Sequence, residues 1–204
     1  MDTSRSGSED ADTSRLRTLP ALSGAAPEID FARLPDEPGT LFLFWLDVAI
    51  DAAVPEPHAA TLATVDVDGI PDARTLILKG VDDLGWSFAG PRSSRKGLQL
   101  ADRPAAALNF WWQPLVRAVR VRGVVREASP GETAADLAAR SAAARSDVAP
   151  GDWALWRIVP SRVEFWQGAS DRRHTRIVYE PDGGRWKRTI AGGASATPGE
   201  RERG

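Results

Sequence analysis

The chain has 204 residues, with 26 Lys plus Arg against 28 Asp plus Glu, two histidines and no cysteine. That length supports one domain with a sizeable core and leaves little room for two. The near-neutral balance gives no reason to expect nucleic acid or an anionic membrane as partner, and without cysteine there is no disulfide, thiolate nucleophile or cysteine metal site, so no metal is expected.

Residues 1–26 are rich in Ser, Asp, Thr and Ala with mixed charges and read as a disordered tail. No apolar run approaches the roughly 18 to 20 residues that cross a bilayer, and "MDTSRSGSEDADTSRLRT" lacks the apolar core of a secretory signal, so a cytoplasmic protein is expected. Residues 27–190 are expected to form the folded domain, and 191–204 a second flexible tail. In "PGTLFLFWLDVAIDAA", residues 38–53, Leu41, Phe44, Trp45, Val48 and Ala52 recur at helical spacing and predict one buried face. "ATLATVDVDGIPDARTLILKG", residues 60–80, reads as a hairpin around Asp68-Gly69, because that pair accepts positive φ cheaply.

"GWSFAG", residues 85–90, adds a strand, and "SSRKGLQLADRP", residues 93–104, a short helix opened by a serine cap. "AAALNFWW" and "VRAVRVRGVVREA" follow as strands about a Gln113-Pro114 turn. "SPGETAADLAARSAAAR", residues 129–145, predicts one helix with Ser129 as cap and Pro130 as first residue. "LWRIVPSRVEFWQG", "RIVYEP" and "RWKRTI" close the chain as strands, the last two joined by Asp182-Gly183-Gly184. Antiparallel strands with a few outside helices, and no βαβ alternation, predict an α+β antiparallel β-barrel with peripheral helices.

Three places could hold chemistry. Arg74 and Lys79 are five apart, on opposite faces of an ideal strand, so only a bulge or curl lets both meet one ligand; two solvated charges are the alternative. Arg95 and Lys96 crowd a helix start, where the dipole disfavours cations unless an anion binds. That mismatch favours a phosphate over a merely solvated helix start. Arg172, His174 and Arg176 alternate after a turn and, in extended chain, share one face with only Glu164 and Asp171 as nearby carboxylates. Trp111 and Trp112 must point to opposite sheet faces, so one of them is expected to meet a cleft or a partner.

Taken together, "EPHAATLATVDVDGIPDARTLILKG", "SSRKGLQLADRPAAALNFWW", "RAVRVRGVVREASP" and "WRIVPSRVEFWQGASDRRHTR" resemble the pyridoxamine 5'-phosphate oxidase family over residues 38–190. The resemblance implies a split β-barrel homodimer with FMN between the subunits. It implies hydride transfer from pyridoxine or pyridoxamine 5'-phosphate to the flavin, then to O2, giving pyridoxal 5'-phosphate and hydrogen peroxide. By position it makes Arg74, Thr75, Leu76, Lys79, Ala89, Arg95, Lys96, Trp166 and Arg176 flavin contacts. Lys79, Arg140, Arg172 and His174 become substrate contacts, with Arg172 and His174 the catalytic pair.

The chain also departs from the family. Ala89-Gly90 stands where many members have Tyr-Thr, Ala118 where they have Gln, and Asp136 where a substrate-phosphate tyrosine aligns. The segment before "LWRIVP" is short, and the chain does not end in Arg-Leu-Ala-Pro. Two alternatives follow: a same-fold FMN oxidase of another electron-rich ring, such as a dihydrophenazine, or a protein that binds flavin or pyridoxal phosphate without turnover.

Overall fold

The computed structural model of the chain describes residues 14–193; the expected tails fall outside it at residues 1–13 and 194–204. Residues 14–18 are helical, and the Ala25 N–H donates to Pro114 O at 2.8 Å, so the chain is docked on the domain before residue 27.

Helix α1 (Pro38–Asp51) opens on a proline whose missing N–H costs nothing at that position. It buries Pro38, Leu41, Phe42, Trp45 and Ala49, while Phe44 and Ala52 are exposed. The buried stripe is therefore rotated from the expected one. In the unbroken apolar run Leu41–Leu46 spacing alone does not set the phase; the core it packs against does.

Nine strands follow: β1 (Ala59–Val65), β2 (Pro71–Ile77), β3 (Gly80–Asp82), β4 (Gly85–Pro91), β5 (Ala105–Trp112), β6 (Arg117–Glu127), β7 (Trp153–Gln167), β8 (Thr175–Asp182) and β9 (Arg185–Ala191). Their order is β2-β1-β5-β6-β7-β4-β3, with β8 on β7 and β9 on β8, and every pair is antiparallel. The 15-residue β7 lies along β6 on one side and divides its other edge between β4, at 153–158, and β8, at 163–167. That division splits the barrel.

The expected second hairpin strand stops at Ile77, and Gly80–Asp82 forms a separate short strand. The expected helix 129–145 is two helices. Helix α2 (Arg95–Asp102) precedes β5; α3 (Pro130–Ala138) and α4 (Ala142–Ser146) follow β6, and Ser141 ends the first by capping the second through its contact with Ala144 N–H.

Cross-strand rows sort the two sheet faces. Leu62, Leu108, Val121, Val163 and Tyr179 share the inner face and are buried. Thr61, Asn109, Arg120 and Glu164 form an outer row, and Trp111, Ala118, Trp166 and Arg176 the next. Trp112 is buried while Trp111 is exposed, as their alternation requires.

A bulge in β7 sits between the pairs Arg122–Arg162 and Gly123–Pro160, leaving Ser161 as the extra residue. Here Gly123 packs against its neighbour so closely that an added Cβ would lie 1.9 Å from Val159 O. Gly123→Ala is expected to destabilise the domain by roughly 1–3 kcal/mol through forced backbone shifts. A thermal melt checks this, with a midpoint lower by about 2–4 °C for each kcal/mol.

Candidate functional site

The first cluster of site residues forms where β2, β4 and α2 meet. Arg74, on the inner face opposite Leu62, reaches Gln99 Oε1 at 3.1 Å, Asp72 Oδ2 at 3.0 Å and the Thr64 hydroxyl. Arg95, whose side chain is 75% exposed, lies 2.7 Å from the same Asp72 oxygen. The hydrogen bond from Gln99, then the charges of Arg74 and Arg95, hold the Asp72 carboxyl below its ordinary range against the opposing effect of burial.

Lys96 is different. Its Nζ rests over Gly90, where a Cβ would come within 2.2 Å of it, and donates to Ser94 Oγ at 3.2 Å; among the described residues it has no carboxylate. Burial, and Arg74 beyond it, push its ammonium below the usual lysine range. A half-buried ammonium at a helix start with another cation near it is stabilised by an anion. Ser93 and Ser94 complete the turn: Ser93 is tied to Asp152 and Ser94 caps α2 through Gly97 N–H. Arg74, Arg95 and Lys96 against one carboxylate leave a net positive cradle suited to a phosphate.

Lys79 joins a second cluster. It lies between β2 and β3, and its Nζ is 3.3 Å from Asp136 Oδ1 on α3. The second Asp136 oxygen accepts from Trp153 Nε1 at 2.8 Å. The Arg140 guanidinium lies on the Trp153 ring, 4.3 Å from its centroid, with Nε buried and unpartnered. Within the chain Arg74 and Lys79 thus pair with different carboxylates.

Helix α3 holds this cluster by a capping box: Ser129 and Glu132 exchange hydrogen bonds, and Arg157 reaches Glu132 at 2.7 Å. The Ser129 hydroxyl, then Arg157, lower the Glu132 carboxyl to about 2. A depressed carboxylate contributes stability above its ordinary value of 4.5 and loses it as pH falls towards about 2. The stability difference between the parent and Glu132→Gln is therefore expected to be constant above pH ~4.5 and to close by pH ~2, as urea midpoints at several pH values would register.

The third cluster lies on the outer face. Trp111, Ala118, Trp166 and Arg176 form one cross-strand row, and the two indoles meet over the small Ala118 with centroids 6.1 Å apart. The His174 ring is 5.0 Å from that of Trp166, and its Nδ1 accepts the Ala169 N–H at 3.0 Å. A neutral His174 consequently carries its proton on Nε2 and offers a donor there. A cavity of about 190 Å³ is lined by Asn109, Ala118, Arg120, Glu164, Trp166 and Arg176.

Glu164, only 8% exposed, collects Arg120 at 2.7 Å, Arg162 at 3.2 Å and Arg176 at 3.5 Å. Burial would raise its carboxyl, but Arg162 and Arg120 outweigh it and keep it below the ordinary value. Arg173 is paired with Asp171 at 2.8 Å. Arg172 has no carboxylate among the described residues. The shared face expected for Arg172, His174 and Arg176 does not form, because 169–174 is a turn: Arg172 adopts φ +65° and the strand starts only at Thr175.

Thr75 is exposed on the outer face, Leu76 packs against the core, and Ala89 sits on β4 beside the Gly90 cradle. Sequence reasoning passed over Asp72 and Gln99, which hold Arg74, and Trp153, which carries Arg140 and braces Asp136. Asp72 could have been found, since it stands two residues before Arg74 and so on the same strand face. Another cavity, about 430 Å³, lies at the start of α1 and contains none of the expected site residues.

A split, curled antiparallel barrel with a phosphate-type cradle and an aromatic outer row defines the class of flavin-binding split-barrel proteins. Residues 46–167 match the family model described as pyridoxamine 5'-phosphate oxidase, and 153–190 match the pyridoxine 5'-phosphate oxidase C-terminal dimerisation region. The chain is 41% identical to a pyridoxine/pyridoxamine 5'-phosphate oxidase of Cupriavidus necator, over 87% of this chain and 95% of the relative. It is 38% identical to one of Thermosynechococcus vestitus, over 75% and 87%.

Among solved structures it resembles PhzG of Burkholderia lata in complex with tetrahydrophenazine-1-carboxylic acid, with TM-score 0.75 and 27% identity over 83% of this chain and all of that one. A pyridoxamine 5'-phosphate oxidase-related, FMN binding protein of Nostoc punctiforme shares the fold, with TM-score 0.66 and 17% identity over 78% of this chain. The chain belongs to the pyridoxamine 5'-phosphate oxidase family, FMN-dependent oxidoreductases, and carries that family's dimerisation region. No described helix is long and apolar enough to cross a membrane.

Proposed function

We propose that the chain is an FMN-dependent oxidase that removes a hydride from the alcohol- or amine-bearing carbon of a ring substrate and passes the electrons to O2. Bound FMN supplies the hydride acceptor, and its reoxidation by O2 yields hydrogen peroxide. Arg95, Lys96 and Arg74 hold the cofactor phosphate. Trp166, Arg176 and the backbone around Thr75, Leu76 and Ala89 border the cofactor. Arg172 binds the substrate by charge, and His174 orients it by donating from Nε2.

One observation carries this reading: Lys96 is a half-buried cation cradled by Gly90 and lacking a carboxylate among the described residues. The arrangement of the clusters supports the dimer. Arg74 sits on the inner face and Trp166 and Arg176 on the outer face of one sheet, so a cofactor touching both kinds of residue is completed by a second subunit. A cytoplasmic homodimer with FMN at the subunit interface follows from the same reading.

Pyridoxine or pyridoxamine 5'-phosphate, converted to pyridoxal 5'-phosphate, is the first substrate because the relatives' name carries it. A wider electron-rich ring, dihydrophenazine-like, is the second. It is favoured by the likeness to PhzG, solved with tetrahydrophenazine-1-carboxylic acid. Oxygen consumption by the FMN-loaded protein with each substrate tests the proposal. A protein that binds FMN yet consumes no oxygen with any of them is a binding protein, and the oxidase reading fails.

A further inference from the structure

We propose that Asp136 sets the charge that the substrate end of this site accepts: the ring presents at most one negative charge to Lys79 and Arg140, an uncharged group or a carboxylate in place of a phosphate dianion. This rests on the oxidase reading and chooses between its two substrates.

The Asp136 carboxylate is built into the site. It is 12% exposed, against 31% for Lys79, and is held on one oxygen by Lys79 Nζ at 3.3 Å and on the other by Trp153 Nε1 at 2.8 Å. Trp153 is itself buried on β7, so the carboxylate is braced between α3 and the barrel. Should Lys79 swing towards a ligand, Trp153 still fixes Asp136 beside the place Lys79 left. Arg140 stands one turn further along and belongs to no ion pair among the described residues; its planar group is spread on the same Trp153 ring and its Nε is buried without a partner.

The charges decide the rest. Lys79 and Arg140 contribute two positive charges and Asp136 one negative, leaving one. A carboxylate neutralises it, whereas a phosphate dianion leaves a net negative charge next to a fixed, poorly solvated carboxylate, where like charges repel most strongly. Arg140 is then the cation that meets the substrate, and Lys79 is occupied within the chain.

The test compares twins that differ only in the phosphate, using the FMN-loaded full chain. Equilibrium dialysis measures 4-deoxypyridoxine against its 5'-phosphate, and oxygen consumption measures pyridoxine against pyridoxine 5'-phosphate. The parent is expected to take the unphosphorylated twin at least as well as the phosphorylated one. Asp136→Asn keeps an acceptor for Trp153 and removes the charge; it is expected to raise the preference for the phosphorylated twin at least tenfold, with flavin content unchanged. Asp136→Ser should do the same if the first variant folds poorly, and Asp136→Glu should keep the parental ratio.

A parental preference for the phosphorylated twin, or a shift below tenfold in both neutral variants, overturns the proposal, as does binding of neither twin by the flavin-loaded parent and variants. Binding that follows the expected ratios without oxygen consumption would overturn the oxidase reading alone.

Discussion

Replacing Arg95 and Lys96 together by alanine is expected to weaken FMN binding by about 10²–10⁴-fold. Each charge-assisted hydrogen bond to a phosphate contributes roughly 1.5–3 kcal/mol, and each 1.4 kcal/mol is about a factor of ten. The two residues are not equivalent. Arg95 is three-quarters exposed and already shares Asp72 with Arg74, so its loss is softened by solvent and by a released carboxylate. Lys96 has only the Ser94 hydroxyl, and its depressed ammonium becomes fully favourable when an anion arrives.

Lys96→Ala alone should therefore account for most of the loss, and Arg95→Ala for the smaller part. Flavin fluorescence titration separates the two. Ser94, which caps α2, and Leu100, which anchors it in the core, are untouched, so the melting temperature should barely move. Unchanged flavin affinity in the double variant would mean that both side chains are merely a solvated helix start.

The mismatch at "SSRKG" was legible in the sequence because it depends on local matters: a serine cap, a helix start, and cations on the wrong end of a dipole. Alternation likewise separated Trp111 from Trp112. Where several residues in a row are apolar, as in Leu41–Leu46, periodicity loses its phase, and the buried stripe of α1 was set by the core it packs against. Ser141 illustrates a competing signal: within an alanine-rich run it reads as an interruption to be tolerated, yet as a cap it divides the helix.

Apart from Asp72, the partners of the site cations were beyond sequence reasoning because they are long-range. Lys79 meets Asp136 across 57 positions of chain (136 − 79), and Arg140 meets Trp153 only because α3 folds back on β7. The same is true of Glu164, whose three arginines come from β6, β7 and β8. The resemblance to a family assigns such residues roles by position and marks Asp136 as a departure, but it pairs neither Lys79 with Asp136 nor Arg74 with Asp72. Both carboxylates alter the charge that each cluster offers a ligand.

His174 and Arg172 should control turnover while leaving the flavin in place. His174 is positioned by two contacts: the Ala169 N–H on Nδ1 and the Trp166 ring 5.0 Å away. With Nδ1 already accepting, Nε2 carries the proton, and the neutral ring can give a hydrogen bond but cannot take a proton at that atom. In the proposed oxidase its part would be to orient the substrate as a fixed donor. Removing one preorganised donor costs about 10²–10³ in kcat. His174→Ala is accordingly expected to lower kcat by that amount, and His174→Gln, which keeps a side-chain donor, to recover part of it.

Arg172 stands in a left-handed turn and has no carboxylate among the described residues, so its charge is free for a ligand. Arg172→Ala should raise KM by about 10–100-fold, the equivalent of one charge-assisted contact of roughly 1.5–3 kcal/mol, with a smaller effect on kcat. Steady-state oxygen consumption separates the two effects, and the absorption of bound flavin reports cofactor content. Loss of flavin in either variant would move these residues from the substrate to the cofactor, and unchanged kinetics in both would leave the turn at 169–174 a structural connection between β7 and β8.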